Sequence, residues 1–265
     1  MLALIGLGLD GVNTITRSGL EEIKVCDSIY LDTYTSILQE GTAQRIEEAT
    51  GRKVIPAERG FLEDHAGVID LARHSRICIL VSGDPLSATT HFELIHEART
   101  SGIQVRIFPN ASIALYGPLF LGLYLYRMGP PVSIPFTSEK FFPMSVYRRI
   151  NRNFSNELHT LLLLDLKDGM NMSLEEAIST LLRMEQIEGK GLFGPDRLIC
   201  ALSRMGMPGE TAVCGSMAEI STLKLDGPVS LVLPSALSDQ EERFINRFLG
   251  LRFELSRDSK DLSKD

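Results

Sequence analysis

Short, wholly apolar runs alternate with amphipathic helical stretches through the first hundred residues, and this alternation constrains the fold more than any other feature of the chain. Runs at 2–6, 28–32, 53–55, 77–82 and 104–108 have strand length, and helical patterns at 17–26, 41–50, 66–74 and 91–100 lie between them. Strands apolar on both faces and separated by helices pair through crossovers, which gives a mostly parallel sheet covered by helices. Local signals support the helices. Thr16 stands as an N-cap before Leu20 and Ile23, and Thr90 with Glu93 spells a capping box for a helix that Gly102 stops.

After "FPNAS" the pattern changes. Ser112 can cap a long apolar helix running to about Tyr126 and ended by "MGPP". Strand-like runs follow at 131–135, 160–165, 197–203, 212–217 and 229–233, with a last one near 251–255. One helix is opened by Ser173 with Glu176 and followed by Gly189, and another is opened by Ser238 with Glu241. Fewer helices per strand predict a mixed sheet. The expected organisation is two α/β domains, 1–110 with a parallel sheet and 111–255 with a mixed one, and a frayed polar tail at 256–265.

A chain of 265 residues with 44% hydrophobic content can bury a full core. Its net charge of -7 and pI near 5.4 argue against non-specific nucleic-acid binding, which needs a broad basic surface. Cys26, Cys78, Cys200 and Cys214 show no C-x-x-C spacing, so buried free thiols in a reducing cytoplasm are expected and no structural metal is. The amino terminus lacks the basic region of a signal peptide. Residues 107–126 carry no charge, but Pro109, Asn110, Ser112, Gly117, Pro118 and Gly122 interrupt them, which favours a buried helix behind a loop over a membrane span.

Gly6, Gly8 and Gly11 in "LALIGLGLDGVNTIT" satisfy G-x-G-x-x-G, and Asp32 lies near the distance of a ribose-binding acid, so a dinucleotide reading is open. Its mechanism is poorly served, because a loop separates the glycines from the Thr16 helix start and no helix N-terminus opens onto a pyrophosphate. A second stretch, "ICILVSGDPLSATTHFEL", ends an apolar strand in Gly83-Asp84-Pro85. Pro85 restricts Asp84 to extended backbone and Gly83 permits close approach of a ligand, although the same tripeptide also makes an ordinary turn. Together with "PNASI", two glycine-bearing strand ends suggest a cleft floored by backbone. No P-loop lysine is present, so a phosphate ligand is weakly supported; S-adenosylmethionine, with neutral adenine, ribose hydroxyls, a zwitterionic tail and no phosphate, suits such a floor better.

The stretches "IGLGL…ITRSGLE", "GDPLSATTH", "NASI", "FFPMSVYRRINRN", "HTLLLLDLK" and the late "RMG" together resemble the diphthine synthases, archaeal methyltransferases within the wider tetrapyrrole-methylase superfamily. The resemblance runs from residue 2 to about 234. It implies two α/β domains with S-adenosylmethionine in the cleft between them, usually in a homodimer. It also implies an enzyme that trimethylates the amino group of a 3-amino-3-carboxypropyl histidine on translation elongation factor 2; composition and patterning add the expectation of a cytoplasmic protein with no nucleic-acid or membrane partner. Matching positions place Leu9, Asp84, Ser87, Ser112, Ile113 and Leu164 at the cofactor, with Asp165, and further contacts near Met205 and Ser230.

An in-line methyl transfer to an amine requires positioning more than proton machinery, and no catalytic triad is expected. Asp165, at the end of "TLLLLD", is a candidate proton acceptor or cofactor contact and equally a strand-end cap. His91 and His96 are five apart, a poor spacing for a shared ligand, and read as packing or surface groups. Arg148, Arg149 and Arg152 form either a basic patch for an acidic partner or a solvated helix face. Two other readings stand beside the main one: a corrin- or sirohaem-type tetrapyrrole C-methyltransferase, and a non-enzymatic nucleotide-binding module.

Overall fold

A computed structural model describes residues 1–247 except Thr35, Ile37, Glu40, Asp168 and Gly169, together with Phe253 and Glu254. The polar tail at 256–265 lies outside the described residues. The chain forms two compact units, Met1–Tyr116 and Gly117–Asp265. Among the described residues no helix is long and apolar enough to cross a membrane.

In the first unit β1 (Leu2–Gly6), α1 (Arg17–Val25), β2 (Ser28–Asp32), α2 (Thr42–Thr50), β3 (Val54–Ala57), α3 (Arg59–Glu63), α4 (His65–His74), β4 (Ile77–Val81), α5 (His91–Thr100) and β5 (Val105–Phe108) follow in order. The five strands make one parallel sheet in the order β3-β2-β4-β1-β5. Side-chain alternation explains why its central strands are apolar throughout. Ala3 and Ile5 pack with Ile23 and Ile46 on one face, while Leu2 and Leu4 pack with Val68, Ile69 and Leu94 on the other. Pro56 falls in β3, an edge strand, where a missing donor is tolerated.

Two local expectations fail here and at the junction. Thr90 does not cap α5 with its side chain, because its backbone is not extended; Thr89 Oγ1 accepts from His91 N (3.3 Å) instead. The apolar stretch after Ser112 is not one helix to Tyr126. It forms α6 (Ile113–Phe120), and a short 3-10 turn follows at Leu125–Arg127. Pro118 removes one helical donor, and Gly122 leaves the helical region at φ +77°, where a Cβ would come within 2.4 Å of Phe244.

The second unit continues with β6 (Val132–Ile134), α7 (Ser145–Ser155), β7 (Thr160–Leu164), β8 (Leu166–Lys167), β9 (Met170–Asn171), α8 (Leu174–Glu188), β10 (Leu198–Ser203), β11 (Thr211–Ser216), α9 (Met217–Ser221), β12 (Val229–Leu233), α10 (Asp239–Ile245) and β13 (Phe253–Glu254). Its main sheet is mixed, ordered β13-β11-β10-β12-β7-β6, with β6 and β7 parallel and the other pairs antiparallel. One core joins Leu162, Ile199 and Leu231 of the sheet to Tyr147, Ile150, Ile178, Leu181 and Ile220 of the helices. Ser173 caps α8, and Ser238 with Glu241 completes a capping box on α10.

The cysteines correct the reading of four free thiols. Cys26 and Cys78 are free and buried, but Cys200 and Cys214 form a disulfide. The β10–β11 register sets these two directly opposite each other, a pairing that no sequence spacing announces.

Candidate functional site

β1, β4 and β5 are parallel neighbours, so their carboxyl ends converge on one edge of the first sheet, the edge where ligands bind in open α/β sheets. Leu7 N donates to Val81 O (2.8 Å), and the chain then departs from the strand pattern. Gly8 N donates to Gly83 O (3.1 Å) and Gly83 N to Gly8 O (2.8 Å), both residues at positive φ near +70°. A 3-10 turn at Gly11–Asn13 separates this loop from α1, whose cap is Thr16 accepting from Gly19 N (3.1 Å). The helix N-terminus therefore does not continue the glycine loop.

Asp84 organises the β4 loop. Its Oδ1 accepts from Leu86 N (2.9 Å) and from Ser87 Oγ (3.1 Å), and its Oδ2 accepts from Asn110 N at the end of β5 (3.1 Å). Ser112 Oγ accepts from Ala114 N (3.2 Å) at the start of α6, with Ile113 beside it. Leu9 is half-buried in the β1 loop. Thus Leu9, Asp84, Ser87, Ser112 and Ile113 all lie in the three loops of one sheet edge. The segments 6–16, 83–90 and 109–113 contain no lysine or arginine.

The other expected residues gather at one end of the second sheet. Ser230 pairs with Leu163 and with Leu202, so the start of β12, the end of β7 and the end of β10 share an edge. Leu164 and Asp165 close β7, Ser230 is buried in β12, and buried Met205 follows β10 in a turn that Arg204 enters at φ 53°. Asp165 is exposed, and its carboxylate is engaged by backbone: Oδ2 accepts from Phe136 N (3.2 Å) and Oδ1 from Leu166 N (2.9 Å). Those bonds tie the segment after β6 to the end of β7.

The histidines divide by burial. His91 is buried, with Nδ1 donating to Pro85 O (3.1 Å) and lying 2.7 Å from Thr89 Oγ1, so it braces the Gly83–Thr90 loop. His96 is exposed on the same helix. His159, at the other end of β7 from Leu164, is fully buried: Nε2 donates to Glu241 Oε1 (3.0 Å) and Nδ1 accepts from Ser235 N (2.9 Å). Burial pushes the His159 imidazole below its ordinary range against the opposing pull of Glu241. For Glu241 burial acts upward, but bonds from Ser238, His159 and Tyr124 outweigh it and hold the carboxyl at about 2. Arg127 completes this clasp on Glu241, which is a structural anchor of α10.

Sequence reasoning missed two contributors to the first edge. The spacing of His91 to His96 carries no sign of its role, which comes from a carbonyl six residues back. Asn110 carried a signal in "PNAS", but its contacts reach residues about a hundred positions away.

With two α/β units and a glycine-lined strand edge in place, the matches to known proteins are specific. The profile of the family "Tetrapyrrole (Corrin/Porphyrin) Methylases" matches residues 1–221. The chain therefore belongs to the tetrapyrrole methylase family, and it is a methyltransferase. Within that family it is similar to proteins named for diphthine. It is 40% identical over 248 residues to diphthine synthase of Thermoplasma acidophilum, covering 94% of this chain and 95% of that one. It is 37% identical over 268 residues to diphthine methyl ester synthase of Aspergillus fumigatus, covering 94% and 93%. Among solved structures, a crystal structure of diphthine synthase superposes with a TM-score of 0.84 at 28% identity, covering 94% of this chain and 96% of that one.

Proposed function

We propose that the chain transfers methyl groups from S-adenosylmethionine to the amino group of the 3-amino-3-carboxypropyl histidine of translation elongation factor 2, giving the trimethylammonium product diphthine. The observation that carries this reading is the likeness to a diphthine synthase, 40% identity over 94% of the chain. The proposed setting is cytoplasmic, with the enzyme working as a homodimer of chains organised as domains 1–110 and 111–255. A tetrapyrrole acceptor is less favoured, because the relatives that match nearly the whole chain carry diphthine names. A non-enzymatic nucleotide module does not fit a methylase family.

The first edge suits the donor chemically. Its floor is backbone: a Cβ on Gly6 would lie 2.6 Å from Gly83 O, and one on Gly8 would lie 2.6 Å from Thr14 Oγ1, so side chains are excluded there. The 3-10 turn that separates the glycine loop from α1 leaves no helix opening directly from these glycines onto a pyrophosphate, which favours a ligand bound by amides, carbonyls and hydroxyls. The residues proposed for donor binding are Leu9, Asp84, Ser87, Ser112 and Ile113 of the first edge, and Leu164, Asp165, Met205 and Ser230 of the second sheet. When bound, the donor supplies an activated methyl group and a neutral leaving group.

The chain's own part is orientation. Holding amine nitrogen and methyl carbon collinear supplies about 7 kcal/mol or more of the barrier reduction. A free α-amino group has a pKa of roughly 8, so about a tenth of it is neutral at pH 7, and a modest downward shift or a weak base suffices for attack. Asp165, exposed at the end of β7, is the residue we assign to receive the amine proton through solvent.

Mass spectrometry of elongation factor 2 carrying the aminocarboxypropyl histidine, incubated with the protein and S-adenosylmethionine, tests the reading. Three successive methyl additions confined to that peptide are expected. A fourth would point to the methyl ester activity named for the fungal relative. No addition by a protein that binds the donor would move the acceptor to a small molecule.

A further inference from the structure

Three loops from strands far apart in sequence meet at the first edge, and one residue joins them, its side chain reaching the β1 loop and its own loop and its main-chain N–H reaching the β4 loop. Asn110 Nδ2 donates to Gly6 O (2.9 Å) at the end of β1 and to Thr14 O (3.0 Å) at the far end of the same loop. Its backbone N donates to Asp84 Oδ2 (3.1 Å) in the β4 loop, and its Oδ1 accepts from Ala111 N (2.8 Å) just before Ser112. Both amide protons, the amide oxygen and the main-chain donor are therefore committed, each to a different point of the edge. The fit is also close in space: a Cβ on Gly6 would come 2.9 Å from Asn110 Cβ, and one on Gly8 would come 3.0 Å from its Oδ1.

The β1 loop is anchored at its two ends by Leu7 and Ile15, both buried in the core, and by Leu7 N donating to Val81 O. It closes on itself through Thr14, whose hydroxyl donates to Leu7 O (2.9 Å) and accepts from Asp10 N (2.8 Å), so it is a rigid ring hung from Gly8–Gly83 and from Asn110. No other side chain of this size offers two donors and an acceptor in a plane. Aspartate matches the shape but would turn an oxygen toward two carbonyls and set a second negative charge beside Asp84.

We propose that Asn110 is the positioning residue that locks the β1, β4 and β5 loops into the shape that receives the methyl donor. This rests on the reading of S-adenosylmethionine as that donor. Asn110 itself acts through the loops and need not touch the ligand.

Calorimetric titration of the full chain with S-adenosylmethionine, paired with methyl-transfer kinetics, tests this in Asn110→Asp. The dissociation constant should rise at least tenfold, and KM for the donor with it, while kcat at saturating donor falls less than threefold. A role in stability alone would lower Tm and the active fraction and leave the dissociation constant unchanged, and that result overturns the proposal. Asn110→Ala gives the same comparison if the aspartate variant does not fold. Hydrogen exchange of the unliganded protein supplies a readout that needs no donor. Segment 6–16, which the side chain holds at Gly6 and Thr14, should exchange faster in either variant, and a change confined to 109–112 would refute the clamp. If the unsubstituted chain fails to bind S-adenosylmethionine, the donor reading falls, and exchange still decides the role of Asn110.

Discussion

Gly8 and Gly83 exchange two backbone hydrogen bonds, of 3.1 and 2.8 Å, across the ends of β1 and β4. The two glycine motifs of the sequence are thus one structural unit, a two-residue antiparallel bridge appended to a parallel sheet. It explains why G-x-G-x-x-G here does not introduce a dinucleotide helix: the second glycine is spent on bridging to the neighbouring loop.

Gly8→Ala should damage this bridge directly. The residue sits at φ +70°, where an alanine is strained by about 1–2 kcal/mol, and its Cβ would also collide with Thr14 Oγ1 at 2.6 Å. An unfolding free energy in urea lowered by about 2–3 kcal/mol is expected, together with lost donor binding. Unchanged stability would mean that the loop is not fixed in this conformation.

Asp84→Ala removes the acceptor for Leu86 N, Ser87 Oγ and Asn110 N at once. Donor affinity should drop by about tenfold or more, equivalent to about 1.4 kcal/mol or more of loop order lost. Asp84→Asn keeps one carbonyl acceptor and should fall between the two. Titration of the three proteins side by side ranks them, and wild-type affinity in the alanine variant would sink the assignment.

The two kinds of information differ in how far the sequence revealed them. Strands such as Leu2–Gly6 and Ser28–Asp32 were legible because burial on both faces makes a continuous apolar run. Asp84 and Ser87 were legible as turn chemistry following such a run. What stayed hidden depends on register or on distance. The Cys200–Cys214 pairing follows from which residue of β11 faces which residue of β10, and a slip of one position would abolish it. The Asn110 contacts join residues 104 and 96 positions apart, beyond any local pattern. The failure of the helix to reach Tyr126 lies between these cases, since Pro118 and Gly122 were visible but an apolar stretch outweighed them.

Thiol counting separates the disulfide from the free-thiol expectation. Denatured without reductant, the protein should show two reactive thiols, Cys26 and Cys78, and four after reduction. Cross-linking positions 14 apart restricts the unfolded chain by about 3 kcal/mol, so reduction should lower stability by up to that amount. Four thiols before reduction would refute the pairing.

The His159–Glu241 clasp predicts the response to acid. His159 has a folded pKa below its unfolded 6.5, so the unfolded chain takes up the extra proton and stability falls as pH drops below about 6.5. Glu241 is held at about 2 against 4.5 when unfolded, so its contribution is intact above 4.5 and lost as pH falls toward 2. That second window is worth about 3 kcal/mol. Chemical denaturation from pH 7 to 3 should show both declines, and His159→Gln should flatten the first; a pH-independent midpoint would contradict the clasp.

The most direct test of the account is calorimetric titration of the unmodified protein with S-adenosylmethionine and, separately, with NAD and NADP. An edge whose glycine loop runs into a 3-10 turn rather than a helix should bind the sulfonium donor and give no heat with either dinucleotide. Binding of NAD or NADP with none of S-adenosylmethionine would contradict it and return the glycine motif to a dinucleotide role.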